Sequence, residues 1–217
     1  MIIHKWINYK NKQGSTALHY ASYKGNLDII ILLIDNGADP EAVNNRGLNM
    51  LHFAAQGNQV NSLVYFKEKY SLDVHSMDDL GSTVLHWACY ISGEIAVEFI
   101  LSWQVDIDHA DKEGITALHL AVDSGNLAIL KKLLIYGANK DIRDKKGRTP
   151  FQIAFDKKKN DIVKIFTENL KCQLCAFKQP LYKVEKSNFN VVFFILLHFV
   201  IELCCFFLLV PCKYFKI

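Results

Sequence analysis

The sequence predicts an all-α solenoid of stacked helix pairs followed by a single C-terminal membrane helix, and three observations carry that fold class. Aligned from Thr16, Asn49, Thr83, Thr116 and Thr149, the chain repeats itself in steps of 33, 34, 33 and 33 residues. A fixed period of that length marks stacked supersecondary units. The first and fourth steps carry the full punctuation and the others carry parts of it: Thr-x-Leu-His opens a short Ala-rich helix, Gly-Asn leads into a second apolar helix, and Gly-Ala-Asn or Gly-Ala-Asp closes the unit. The hydrophobic excess of the chain is concentrated after Phe189, in FNVVFFILLHFVIELCCFFLLV, residues 189–210.

The fourth unit, Gly114 to Lys146, shows most plainly what each position does. Thr116 stands where a hydroxyl caps the first helix by accepting from an early backbone N–H. Leu118 faces the core, and Ala121 is small enough for two helices to approach. Gly125 and Gly137 end the two helices in a left-handed conformation that glycine takes without a Cβ penalty. A unit this short cannot bury its own apolar face, so it stacks on copies of itself.

The other units follow in order. Residues 1–13 read as a partial N-terminal repeat: Ile7-Asn8-Tyr9-Lys10-Asn11 looks like the loop end of a preceding unit, which leaves Trp6 and Ile2-Ile3 without a covering helix. Solenoids carry polar terminal caps, so this edge is expected to be incomplete or to meet a partner. The first full unit, Gly14 to Arg46, has Thr16-Ala17-Leu18-His19, Gly25-Asn26 and Gly37-Ala38-Asp39. The second, from Gly47 to Leu80, is degraded: Asn49 replaces Thr, Asn58 stands where Gly is expected, and Tyr70-Ser71-Leu72-Asp73 adds a residue. Asn is the next best residue both for a cap and for a left-handed turn. The third, Gly81 to Glu113, keeps Thr83-Val84-Leu85-His86 and carries Trp87; it reads as gaining a residue before Gly93 and losing one near Trp103. The fifth opens Thr149-Pro150-Phe151-Gln152, with Pro suited to a first helical turn, and ends near Lys171.

Thr-x-Leu-His at this period, with Gly-Asn and Gly-Ala-Asn/Asp, closely resembles the ankyrin repeat. The resemblance covers residues 14–171 and implies helix-turn-helix units joined by β-hairpin loops. It also implies that His19, His52, His86 and His119 are structural, each tying its own turn to a neighbouring loop, rather than metal ligands or catalysts. Ankyrin proteins contact partners through loop tips and through residues late in the first helix. Here the matching positions are Arg46, Asp79, Lys112, Glu113, Lys145 and Lys146 at the tips, and Tyr23, Lys24, Gln56, Tyr90, Ile91 and Asp123 on the helices. Trp87 follows the third histidine and is expected either on the concave face or in the core. The implied partner is a protein.

Composition excludes other classes. The chain has 217 residues and a net charge of +3, an excess too small to imply nucleic acid. No glycine-rich phosphate loop and no Ser/His/Asp or Cys/His arrangement independent of the repeat is present, so no catalytic site, cofactor or small-molecule substrate is expected. Cys172-x-x-Cys175 lacks two further ligands at zinc spacing, so no metal is expected and these read as ordinary cysteines. The six cysteines form no disulfide framework and the N-terminus does not read as a signal peptide, which places the repeats in a reducing setting.

A basic linker, residues 172–188, leads to the apolar segment 189–210, and a short tail, 211–217, follows it. The segment would span ~33 Å as a helix, close to the ~30 Å hydrocarbon thickness. Its Phe, Leu, Ile and Val content outweighs the roughly 3 kcal/mol cost of Glu202. His198 and Glu202 share a helix face, where they reduce each other's cost and mark a helix-contacting face. Lys171, Lys178, Lys183 and Lys186 precede the segment and Lys213 and Lys216 follow it, which predicts a single-pass membrane protein with its repeats in the cytoplasm.

Repeats running into a basic linker and an apolar span, together with Leu85-His86-Trp87-Ala88-Cys89-Tyr90, resemble the N-terminal part of the ankyrin-repeat palmitoyl acyltransferases. Catalysis in that family requires several spans and a zinc-bound domain containing Asp-His-His-Cys. This chain has one apolar span and lacks that tetrapeptide, so no transfer is expected of it. Two alternatives stand beside a membrane-tethered adaptor: a truncated, substrate-recruiting part of such an acyltransferase, and a soluble protein whose apolar tail is buried in an oligomer.

Overall fold

The structure, a computed structural model, describes residues 6–167. Five helix pairs succeed one another: α1 Ala17–Lys24 and α2 Leu27–Asp35, α3 Met50–Gln56 and α4 Val60–Tyr70, α5 Val84–Tyr90 and α6 Glu94–Ser102, α7 Ala117–Ser124 and α8 Leu127–Ile135, α9 Pro150–Asp156 and α10 Asn160–Thr167. The odd-numbered helices form one tightly stacked row, and the even-numbered helices form a second, looser row behind it. Residue size explains the difference. Ala21, Ala54, Ala88, Ala121 and Ala154 recur at one register of the first row and are buried, so adjacent backbones come close.

The core is continuous through the stack. Leu18, Leu51, Leu85 and Leu118 repeat at one register and are solvent-inaccessible or nearly so, as are Ile30, Leu63, Ile100 and Leu130 behind them. Each such side chain stabilises the fold by about 2 kcal/mol.

Left-handed residues fix the register and correct one expectation. The residue nine positions after each cap has positive φ in every unit: Gly25 at 74°, Asn58 at 54°, Ser92 at 60°, Gly125 at 83° and Lys158 at 53°. In the third unit the turn residue is therefore Ser92, and Gly93 is the N-cap of α6. No residue is gained before Gly93 or lost near Trp103; Gln104, at φ 56°, occupies the place that Gly37 and Gly137 hold elsewhere. The extra residue of the second unit is real, and Ser71 makes the turn there at φ 52°.

The loops are tight turns rather than β-hairpins. Among the described residues the only β pairing is an isolated bridge between Met77 and Thr83. The reason is local: the Asn or Asp at the base of each loop draws two backbone N–H groups onto one oxygen, as Asp78 Oδ1 does from Leu80 and Ser82, so the segment folds on itself before a ladder can form. Asn11, Asn44, Asp111 and Asp144 do the same.

Ile7 packs against the core, and Asn8 exchanges hydrogen bonds with the Gly37 carbonyl and the Asp39 N–H, so residues 6–13 dock as the end of a repeat. Among the described residues no helix is long and apolar enough to cross a membrane. The linker, the segment 189–210 with His198 and Glu202, and the tail lie outside the described residues, as do residues 1–5.

Candidate protein-binding face

The face is built on a histidine relay that only one tautomer satisfies. In the first unit the Thr16 backbone N–H donates to His19 Nδ1 at 3.1 Å, so Nδ1 is an acceptor and the proton resides on Nε2. Nε2 then donates to the Leu48 carbonyl of the next unit at 3.2 Å. His86 to Ile115 at 2.9 Å and His119 to Arg148 at 3.3 Å repeat the arrangement. His52 makes the local half through Asn49, while its Nε2 has no partner within hydrogen-bond geometry. Burial holds all four rings neutral, lowering His19 and His52 to about 4 and His86 and His119 in the same direction. These are structural groups, as their spacing implied.

The loop tips are stitched into one rail. Asn45 N–H donates to the Gln13 carbonyl, Asp79 to Arg46, Lys112 to Leu80 and Lys145 to Glu113, each at 2.9 or 3.0 Å. On the first-row helices the seventh residue after each cap, Tyr23, Gln56, Tyr90, Asp123 or Asp156, is exposed or half-buried.

Arg46, Trp87 and Tyr90 meet. The Arg46 guanidinium lies 5.1 Å from the Trp87 ring centre, the Trp87 indole N–H donates to Asp78 Oδ2 at 3.1 Å, and Tyr90 contacts the same indole edge-on at 5.9 Å. Trp87 is half-buried: it packs against the core, and the Arg46 guanidinium lies over its ring. Tyr90 is 65% exposed.

The remaining expected residues form pairs of their own. Lys24 Nζ lies 5.4 Å above the Tyr23 ring, Lys112 Nζ donates to the Asp79 carbonyl at 2.6 Å, Lys145 pairs with Glu113 at 3.4 Å, and Lys157 pairs with Asp123. Ile91 caps α5 and is 37% exposed, Lys146 is exposed, and Gln56 is half-buried with an unpartnered Nε2.

Sequence reasoning missed Tyr20 and Phe53. Both stand four residues after their caps, in the register of Trp87, and their rings meet edge-on at 6.0 Å, with the Tyr20 hydroxyl accepting from Asn11. That shared register was the available signal. Gly57 was missed as well. It has ordinary φ, but a Cβ there would lie 1.9 Å from the Tyr23 carbonyl oxygen, so it is glycine because two first-row helices touch at that point.

A family profile described as Ankyrin repeats (3 copies) matches residues 2–78, 51–144 and 85–178. The chain belongs to the ankyrin-repeat family. Palmitoyltransferase AKR1 of Lachancea kluyveri is 30% identical over 102 residues, which make up 45% of this chain and 14% of that protein. Notch-regulated ankyrin repeat-containing protein A of Danio rerio is 39% identical over 67 residues, 30% of this chain and 60% of that protein. Its counterpart in Homo sapiens is 37% identical over 67 residues and is matched over 59% of its length. The chain thus spans less than two thirds of each of these relatives. The similarity to the palmitoyltransferase covers the ankyrin region, and ankyrin repeats are a protein-interaction fold.

Proposed function

We propose that this chain is a membrane-tethered adaptor that binds a protein along the first-row helices and the rail of loop tips. The observation that carries this reading is the Arg46–Trp87–Tyr90 corner: an aromatic pair from the third unit and a cation from the tip that closes the first, with the Trp87 indole held by Asp78. Clustered Trp, Tyr and Arg on a rigid support are the side chains from which binding hot spots are built. Around it, Tyr23, Lys24, Gln56, Asp79, Ile91, Lys112, Glu113, Asp123, Lys145 and Lys146 are assigned as peripheral contacts. The tether is assigned to residues 189–210, on their apolar composition and length.

Photo-crosslinking tests the first assignment. A crosslinker at Tyr90 is expected to capture a discrete partner, and Trp87→Ala is expected to abolish the capture. Capture from Leu32, on the outer row, and not from Tyr90 would overturn it. For the tether, the chain is expected to resist extraction by alkaline carbonate and to become extractable once residues 189–210 are deleted. Extraction of the intact chain would favour an apolar tail buried in an oligomer.

The similarity to palmitoyltransferase AKR1 favours a second reading, in which the array is the substrate-recruiting part of an ankyrin-repeat acyltransferase. An Asp-His-His-Cys domain encoded downstream of the Ile217 codon would support it, and absence of such a domain there would leave the adaptor.

A further inference from the structure

The proposed binding face has a charge imbalance that the array does not neutralise. In the later units cations meet anions, Lys145 with Glu113 and Lys157 with Asp123. In the earlier ones, Lys24, Arg46 and Lys112 have no carboxylate within ion-pair distance among the described residues. Lys112 donates to a backbone carbonyl, and Lys24 and Arg46 lie over aromatic rings. Asp78, the carboxylate bonded to the Trp87 indole, is buried and already accepts from Leu80, Ser82 and Trp87. Along the tips from Lys12 to Glu113 the acidic residues are Asp79 and Glu113, and Glu113 is already paired with Lys145.

Granted the polypeptide-binding function above, we infer that the stretch from Lys24 to Lys112 takes an acidic peptide segment. A bulky apolar side chain of that segment packs on the Trp87–Tyr90 corner, and its carboxylates pair with Arg46, Lys24 and Lys112. A guanidinium held 5.1 Å from an indole ring centre still presents N–H donors that can receive a carboxylate in bidentate geometry. The ring also limits the rotamers the cation loses on pairing, so the pair forms at lower entropic cost than a free surface ion pair. A basic segment at the same place would bring like charges together, and this sets the discrimination.

The test is selection of short random peptides on phage against the full chain in detergent, followed by affinity measurement of a selected peptide for the wild type, Arg46→Glu, Lys112→Glu and Trp87→Ala. Selected peptides are expected to be rich in Asp and Glu around a Trp, Phe or Leu. Each charge reversal is expected to weaken binding about tenfold, with circular dichroism unchanged, and a Lys-substituted peptide is expected to recover affinity for Arg46→Glu. Neutral or basic selected peptides that lose affinity only with Trp87→Ala would overturn the acidic assignment and keep the binding face. Insensitivity to all three variants, or no selected peptide at all, would remove the face itself. Competition by single-stranded oligothymidylate as strong as that of the selected peptide would overturn the peptide assignment in favour of a polyphosphate.

Discussion

Acidifying the array to about pH 5 is expected to weaken it by roughly 4 kcal/mol through His19 and His52 together. Each ring is locked against its own cap through Nδ1, and burial, which penalises the charged form, lowers both from 6.5 to about 4. The sign follows from proton uptake. Between about 6.5 and about 4 the unfolded histidines are protonated while the folded ones stay neutral, so stability falls as pH drops through that window and levels off below it. At about pH 5 the difference amounts to roughly 2 kcal/mol per ring, a substantial part of the 5–15 kcal/mol typical of a domain. Asp144, for which desolvation is outweighed by hydrogen bonds from Arg148, is held below the usual carboxylate range and titrates under this window. Urea midpoints of residues 1–171, followed by circular dichroism from neutral pH to about pH 5, measure the effect. The fifth unit supplies the control, because Gln152 Oε1 accepts the Thr149 N–H at 2.9 Å in the place of a histidine and does not titrate. The double variant His19→Gln, His52→Gln should therefore keep only the smaller slope due to His86 and His119. A flat wild-type profile, or an equally steep one in the double variant, would refute the reasoning.

Three further outcomes are expected. Gly57→Ala should destabilise the array by about 1–3 kcal/mol, because the added methyl meets the rigid Tyr23 carbonyl; an unchanged urea midpoint would show that α1 and α3 can separate without cost. Gln104→Gly should raise stability by about 1 kcal/mol by relieving a left-handed non-glycine residue, and a fall in the thermal midpoint would contradict the register assigned to the third unit. Tyr90→Ala should leave stability within about 0.5 kcal/mol, because the ring is 65% exposed, yet weaken partner capture about tenfold. Equal losses in stability and binding would make Tyr90 a packing residue.

The repeat period, the caps and the histidine role were legible in the chain, because each rests on an interaction between residues a few positions apart. Thr116 and His119 find each other in any copy of the unit that folds at all. The left-handed turn of the third unit was misplaced because glycine was taken as its marker, whereas the backbone needs a conformation nine residues after the cap and Ser92 supplies it. The β-hairpins expected at the loops gave way to tight turns for a similar reason: one carboxylate gathers the N–H groups that a ladder would need.

By itself the sequence determined that this chain is a stack of helix pairs, since a period of identical short-range interactions leaves each unit with an apolar face that only another copy can cover. Tertiary structure alone decided which side chains meet across units. Arg46 over Trp87, Tyr20 against Phe53 and Gly57 against Tyr23 join residues 33 or more positions apart in different units, so their distances depend on how closely two backbones approach, a quantity set by packing of the whole row rather than by any local pattern.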